Sequence, residues 1–138
     1  MAKFVATDYD ITINSVNFSS SLAAATLDIT AEEQDVTAFG SDYRTRIGGL
    51  KDASLSLDFH QDFGAAAVDA TLFPLLGSIA TVTIKPTSGS VSATNPSYSG
   101  EFLVTQYQPF ASSVGDLATL SVSFPVAGTA GITRGTGA

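Results

Sequence analysis

Polar and apolar residues alternate with a period of two along much of this chain, the pattern of strands with one buried and one solvated face. In "YDITINSVNF" the positions Tyr9, Ile11 and Ile13 predict a strand over about 8 to 16. In "AATLDITAEE", Leu27 and Ile29 fall on one face and Thr26, Asp28 and Thr30 on the other. The clearest strand is "LKDASLSLDFHQ", where Ala53, Leu55, Leu57 and Phe59 alternate with Ser54, Ser56, Asp58 and His60. The period then changes. In "DFGAAAVDATLFPLLGS", Val68, Leu72, Leu75 and Leu76 recur at helical spacing, with three alanines near the start, Asp62 as a cap and Gly77 as a stop. Pro74 lacks an N–H and crowds the preceding turn, so the regular helix is expected to end near Phe73.

Strands resume with "IATVTIKP", where Ile79, Val82 and Ile84 alternate imperfectly up to Pro86. The segment "TSGSVSATNPSYSG" is rich in turn formers. "EFLVTQYQPF" and "DLATLSVSFPV" read as the last two strands, joined through "ASSVG". The final stretch, 127 to 138, is rich in Gly and Thr with little to bury, and is expected to be flexible in an isolated copy. Six or seven strands with one helix predict a mainly β (α+β) domain spanning 1 to 138. Its simplest form is a two-sheet sandwich or half-barrel with the helix on one flank.

One connection does not fit an ordinary hairpin. Residues 31 to 49 are far longer than the usual two to five residues of a hairpin loop. They carry Glu32, Glu33, Asp35, Asp42, Arg44 and Arg46, with Val36 and Phe39 set between the charges and Gly48-Gly49 at the end.

Composition narrows the function. The 138 residues suit one domain with its own core. No cysteine is present, which removes disulfides and thiolate chemistry. The start "MAKFVATDYD" does not read as a secretory signal, and no apolar run approaches a membrane span. Thirteen acidic residues against six basic ones give a formal charge of -7, so phosphate-driven nucleic-acid binding has no obvious source. Charged residues are only 14% of the chain, against about 25% in an ordinary domain. Ser and Thr supply about a quarter of the residues instead.

The candidate chemistry is thin. His60 is the single histidine and lies on a hydrophilic strand face, with no nucleophile-elbow serine to serve. Gly40 and Gly48-Gly49 do not lead into a helix with a Lys, so they form no phosphate cradle. Neither Asp8-Asp10 nor Glu32-Glu33 has calcium-loop spacing, and the absence of Trp argues against a sugar cleft between paired carboxylates. The chain does not read as an enzyme, and no cofactor or metal is implied.

Residues 35 to 59, "DVTAFGSDYRTRIGGLKDASLSLDF", resemble the signature region of phage major tail proteins, the tail-tube subunits of long-tailed phages. That pattern runs from an acidic-Val-Thr-x-Phe loop through a basic turn to Gly-Leu-Lys-Asp-x-Ser and an alternating strand. Asp35, Val36, Thr37, Phe39, Gly40, Arg44, Gly49, Leu50, Lys51, Asp52 and Ser54 match it. "DFGAAAVDATLFPLLG" resembles the single helix of that family and "VTIKPTSGSVSATNPSYSGEFLVTQY" the hairpin that follows. The likeness extends from about residue 28 to 125.

The resemblance implies a virion tail protein, assembled in the host cytoplasm. Its partners would be further copies of itself, in hexameric rings stacked into a hollow tube, together with tape-measure, tail-tip and tail-terminator proteins. DNA would pass through the lumen during ejection without specific binding. On this reading Glu32, Glu33, Asp35, Val36, Phe39, Asp42, Arg44 and Arg46 form the subunit interface. Val36 and Phe39 serve as apolar anchors, Arg44 and Arg46 pair with Asp35 or Asp42 of a neighbour, and the glycine pair folds the loop back. Thr26, Asp28, Thr30, Ser54, Ser56, Asp58 and His60 would face the lumen, together with Thr119, Ser121 and Ser123, as a polar wall without cationic traps. Rival readings are a secretion-system tube, a capsid decoration protein, or a β-sandwich binding or adhesin module.

Overall fold

The alternating segments pair into two antiparallel sheets packed face to face, with the single α-helix closing one end of the core. The structure, a computed structural model, describes residues 3, 5–65 and 67–137. Ala66, one of the three alanines at the expected helix start, and Ala138, the end of the expected flexible tail, lie outside the described residues. Along the chain come β1 (Asp10–Ile13), β2 (Val16–Asn17), a 3-10 turn (Ser19–Ser21), β3 (Leu22–Asp35) and β4 (Arg46–His60). Then follow α1 (Val68–Leu75), β5 (Ile79–Lys85), β6 (Ser97–Leu103), β7 (Thr119–Pro125) and β8 (Thr133–Gly135). One sheet has the order β2-β1-β5-β6-β8 and the other β3-β4-β7. The mainly-β, two-sheet, one-helix architecture is the one the alternation predicts.

The core forms between the inner faces. Leu55, Leu57 and Phe59 of β4 and Leu120, Val122 and Phe124 of β7 meet Ile11, Ile13, Ala80, Val82 and Phe102 of the larger sheet. Val68 and Leu72 of α1 complete it, and Phe18 meets Phe59 edge-on with ring centroids 5.9 Å apart. Burying each large aliphatic or aromatic side chain contributes about 1.5–3 kcal/mol, which makes this face the main source of stability.

Several local expectations change. Residues 8 to 16 are not one strand: Asn14 and Ser15 have positive φ (48° and 70°) and close a two-residue hairpin between Ile13 and Val16. That turn needs two left-handed residues, which Asn adopts more readily than most. In β5, Ala80 and Val82 point inward while Ile79 is half exposed. Helix α1 starts after Ala67 and runs through Pro74 to Leu75. Pro74 is tolerated because it is next to last and forfeits only a terminal bond. The Asp62 carboxylate does not cap this helix but accepts from the Gly64 N–H at 2.8 Å; it is the Asp62 backbone carbonyl that accepts from a first-turn N–H, that of Asp69, at 3.1 Å. Gly77 does end the segment, at φ +84°, and its N–H donates to the Val104 carbonyl. β6 stops at Leu103, so "TQYQPF" is loop and not strand.

The C-terminal segment also has more to hold it than its composition suggests. Thr133–Gly135 pair with β6, the Ala127 N–H donates to the Glu101 carbonyl, and Ile132 packs against the core. The backbone bonds to β6 supply what small side chains do not.

Candidate functional site

The long connection is for the most part strand. β3 and β4 stay paired from the body out to Asp35↔Arg46, and only residues 36–45 form the tip. β7 accompanies β4 only from Ser54 to His60. Beyond that point two strands project alone, and every residue from Asp28 to Asp52 is exposed. A lone two-stranded ribbon is marginally stable in water. This one is pinned locally: the Val36 N–H donates to Thr45 O at 2.8 Å, and the Thr45 N–H donates to Thr37 Oγ1 at 2.7 Å.

The glycine pair lies inside β4 and not at a reversal. The register slips between Ala31↔Lys51 and Glu33↔Gly48, so Gly49 and Leu50 together oppose Glu32 in a β-bulge. A Cβ at Gly49 would stand 3.2 Å from the Glu32 Cβ, a close approach that a larger residue would have to relieve by a small shift of Glu32.

Both arginines of the arm have a carboxylate partner within one copy. Arg44 contacts Asp35 at 2.6 Å and Arg46 contacts Glu33 at 2.5 Å. The Thr37 hydroxyl and N–H, then the Arg44 guanidinium, hold the Asp35 carboxyl below its ordinary value. These ion pairs brace the ribbon and leave its apolar residues outward. Phe39, at 108% exposure, touches nothing, and Tyr43, Ile47, Leu50 and, less so, Val36 are also exposed. Asp42 lies in the exposed tip, and Glu32 stands opposite the bulge. Tyr43 and Ile47 are not among the residues that the sequence marks, and Leu50 is marked only as part of the Gly-Leu-Lys-Asp pattern and not as an exposed anchor. Their signal was there, as isolated apolar residues in a charged stretch.

The hydroxyl-bearing residues do come together. Thr26↔Ser56 and Asp28↔Ser54 are register partners, as are Ser56↔Ser123, Asp58↔Ser121 and His60↔Thr119. Together with Thr30 they share the face of the three-stranded sheet turned away from the core. Asp58 accepts from the Ser121 hydroxyl at 2.6 Å. Among the described residues no Lys or Arg lies between these positions on that face. His60 is partly covered, and its Nδ1 is buried without a hydrogen-bond partner among the described residues. Among the described residues no three His, Asp or Glu side chains gather as a metal site, and no helix is long and apolar enough to cross a membrane.

A second exposed apolar region, also unread in the sequence, lies at the end of the body opposite the arm. The loop 104–118 is anchored there by Gln61, whose Nε2 donates to Tyr107 Oη (3.1 Å) and the Pro109 carbonyl (2.9 Å). Tyr107 in turn donates to Asp69 at 2.6 Å. Burial, and then the bond to Asp69, push the Tyr107 hydroxyl up to about 12. This leaves Phe110 exposed beside Phe63, with ring centroids 5.8 Å apart, and Val114 and Leu117 open to solvent.

Two antiparallel sheets, one flanking helix and a projecting β-ribbon make up the fold. A chain from the virion of a native gene transfer agent particle shares it, with a TM-score of 0.73 at 21% identity over 92% of this chain and 95% of that chain. A chain from the tail of an empty gene transfer agent particle, refined helically with C6 symmetry, aligns with a TM-score of 0.64 at 20% identity, covering 86% of this chain and 83% of that one. No protein-family model and no curated protein matches the chain.

Proposed function

We propose that this protein is a non-enzymatic tail-tube subunit of a phage-like particle. Copies form six-membered rings that stack into a hollow tube, and the tube conducts DNA during ejection. The observation that carries this reading is the unbroken exposure of residues Asp28 to Asp52, an arm with Phe39, Tyr43, Ile47 and Leu50 in solvent. An isolated domain gains nothing by extending such a ribbon; a second copy covering it stabilises both. The likeness to a chain in a C6-symmetric tail supports six as the ring number.

The outer face of β3-β4-β7 is the lumen wall. It carries short hydroxyls with Asp28 and Asp58 and, among the described residues, no Lys or Arg between them, so a passing polyanion meets no counter-charge to hold it. The arm residues Val36 and Phe39 are the subunit interface, and the braced charges around them set its register. Ring closure would also cover the free strand edges of β3 and β7, which sheet proteins otherwise protect. The reading places the protein in the virion tail after assembly in the host cytoplasm.

The test is sedimentation and negative-stain microscopy of the purified protein over a range of concentrations. Rings or tubes are the expected outcome. A particle that stays monomeric at every concentration favours the binding-module reading instead.

A further inference from the structure

The six basic residues are distributed unevenly, and three of them, Lys3, Lys51 and Arg134, have no acidic partner among the described residues. Lys and Arg occur only at 3, 44, 46, 51, 85 and 134. Arg44, Arg46 and Lys85 are each bound to a carboxylate of their own chain. Lys51 and Arg134 have no acidic partner among the described residues, although both lie near an open groove of about 360 Å³ at the root of the arm. The same groove is lined by Ile29, Tyr98, Val126 and Ile132, an apolar floor flanked by the two cations; Asp52 is also in the lining, its carboxylate accepting from the Ala53 N–H at 2.8 Å, which leaves the groove with more positive than negative side chains.

The opposite end of the body presents the complement. Between residues 86 and 133 there is no cation at all. The loop there projects a tight turn, closed by the Asp116 N–H donating to the Ser113 carbonyl at 3.1 Å, with Gly115 at φ +88°. A left-handed glycine at the third position fixes such a turn, so its residues are held out in advance of any contact. Val114 sits at its corner, 105% exposed, and Leu117 follows, 66% exposed. The Asp116 carboxylate between them has no partner among the described residues.

We propose that the arm-root groove of one copy seats the 113–117 turn of a second copy. Asp116 enters between Lys51 and Arg134, and Val114 and Leu117 cover Ile29, Tyr98 and Ile132. The inference rests on the tube reading and names one of its subunit contacts. Groove and turn lie at opposite ends of the body, so the contact is head to tail: it does not close on a pair and repeats without limit. Apolar burial supplies the affinity, while the lone cations select for an acidic turn and against the cation-bearing arm.

The absence of cysteine from the chain permits a direct test. The double variant Asp116→Cys/Arg134→Cys, oxidised mildly at assembling concentration, should give a ladder of covalent multimers on a non-reducing gel. Each single variant should remain a monomer there. In parallel, Lys51→Glu/Arg134→Glu and Asp116→Arg should each raise the critical concentration for assembly at least tenfold while melting like the wild type, and an equimolar mixture of the two should assemble again. Assembly of the wild type with no ladder and no rescue by mixing overturns this contact and leaves the tube reading standing. Covalent dimers of the Arg134→Cys single variant place another segment in the groove and also overturn it. Failure of the unmodified protein to assemble at all removes the tube reading itself.

Discussion

Phe39→Ala separates folding from assembly more cleanly than any other change in the chain. Phe39 is completely exposed at the tip of a ribbon that the body does not touch, so a single copy loses no packing when it is truncated. Surface changes of that kind usually stay within about 0.5 kcal/mol. At an interface the same ring buries about 150–250 Å². Losing some 120 Å² of that at about 25 cal/mol per Å² weakens each contact by about 3 kcal/mol. A loss of about 3 kcal/mol is a factor of about 150 in the contact's equilibrium constant. The assay has two readings, the melting temperature of the dilute protein by circular dichroism and the critical concentration for pelleting. The expected result is an unchanged melting temperature with a critical concentration raised about a hundredfold. Leu57→Ala provides the contrast, since that side chain is fully buried and its loss should cost about 2–5 kcal/mol of folding. Phe39→Ala tubes that pellet like wild type would refute the interface, and a Leu57-like melt would refute the exposure.

The remaining predictions concern ionisation and the lumen wall. Burial opposes ionisation of Asp10, but the Ser19 hydroxyl, the Asn17 amide and the Lys85 ammonium outweigh it and hold its carboxyl below the ordinary 3.8. Its stabilisation is therefore present above the unfolded value and lost as pH falls through the lower folded one, so melting temperature against pH should fall less steeply in Asp10→Asn than in wild type below about pH 4. Tyr107, with its hydroxyl pushed up to about 12, should show phenolate absorbance only near that pH, and its contribution should be present below pH 10 and lost as pH rises towards 12. Tyr107→Phe leaves Asp69 and Gln61 without that partner and should destabilise the fold by about 1 kcal/mol or somewhat more in thermal melts. Asp28→Lys/Asp58→Lys should leave tubes intact by microscopy yet make them retain duplex DNA on a filter at low salt, which wild-type tubes should not do.

The parts of the fold that alternation encodes were legible in the sequence. Leu55, Leu57 and Phe59 against Ser54, Ser56 and Asp58 identify both faces of β4, and the register then brings Thr26, Asp28, Ser121 and Ser123 beside them. Alternation fails where backbone conformation decides. The Asn14–Ser15 reversal needs two positive φ angles that no hydrophobic pattern records, so a hairpin reads as one strand. The arm reads as a loop because both of its faces are solvated; Glu32, Glu33 and Gln34 are three polar residues in a row with no alternation to mark a strand, yet the ladder continues through them. Across the bulge at Gly49 the period itself slips by one. The 113–117 turn is legible as a connection through "ASSVG", but its exposure is not: Val114 and Leu117 resemble core residues until the fold shows that they are open to solvent.

The central claim is that the hydroxyl-lined sheet faces a channel made by six copies. A helical reconstruction of the purified, self-assembled protein tests it most directly. The expected result is stacked six-membered rings with Ser56, Asp58 and Ser121 lining the bore and Phe39 buried against another copy. Tubes with those three residues on the outer wall, or a protein that forms no ring at any concentration, would contradict it.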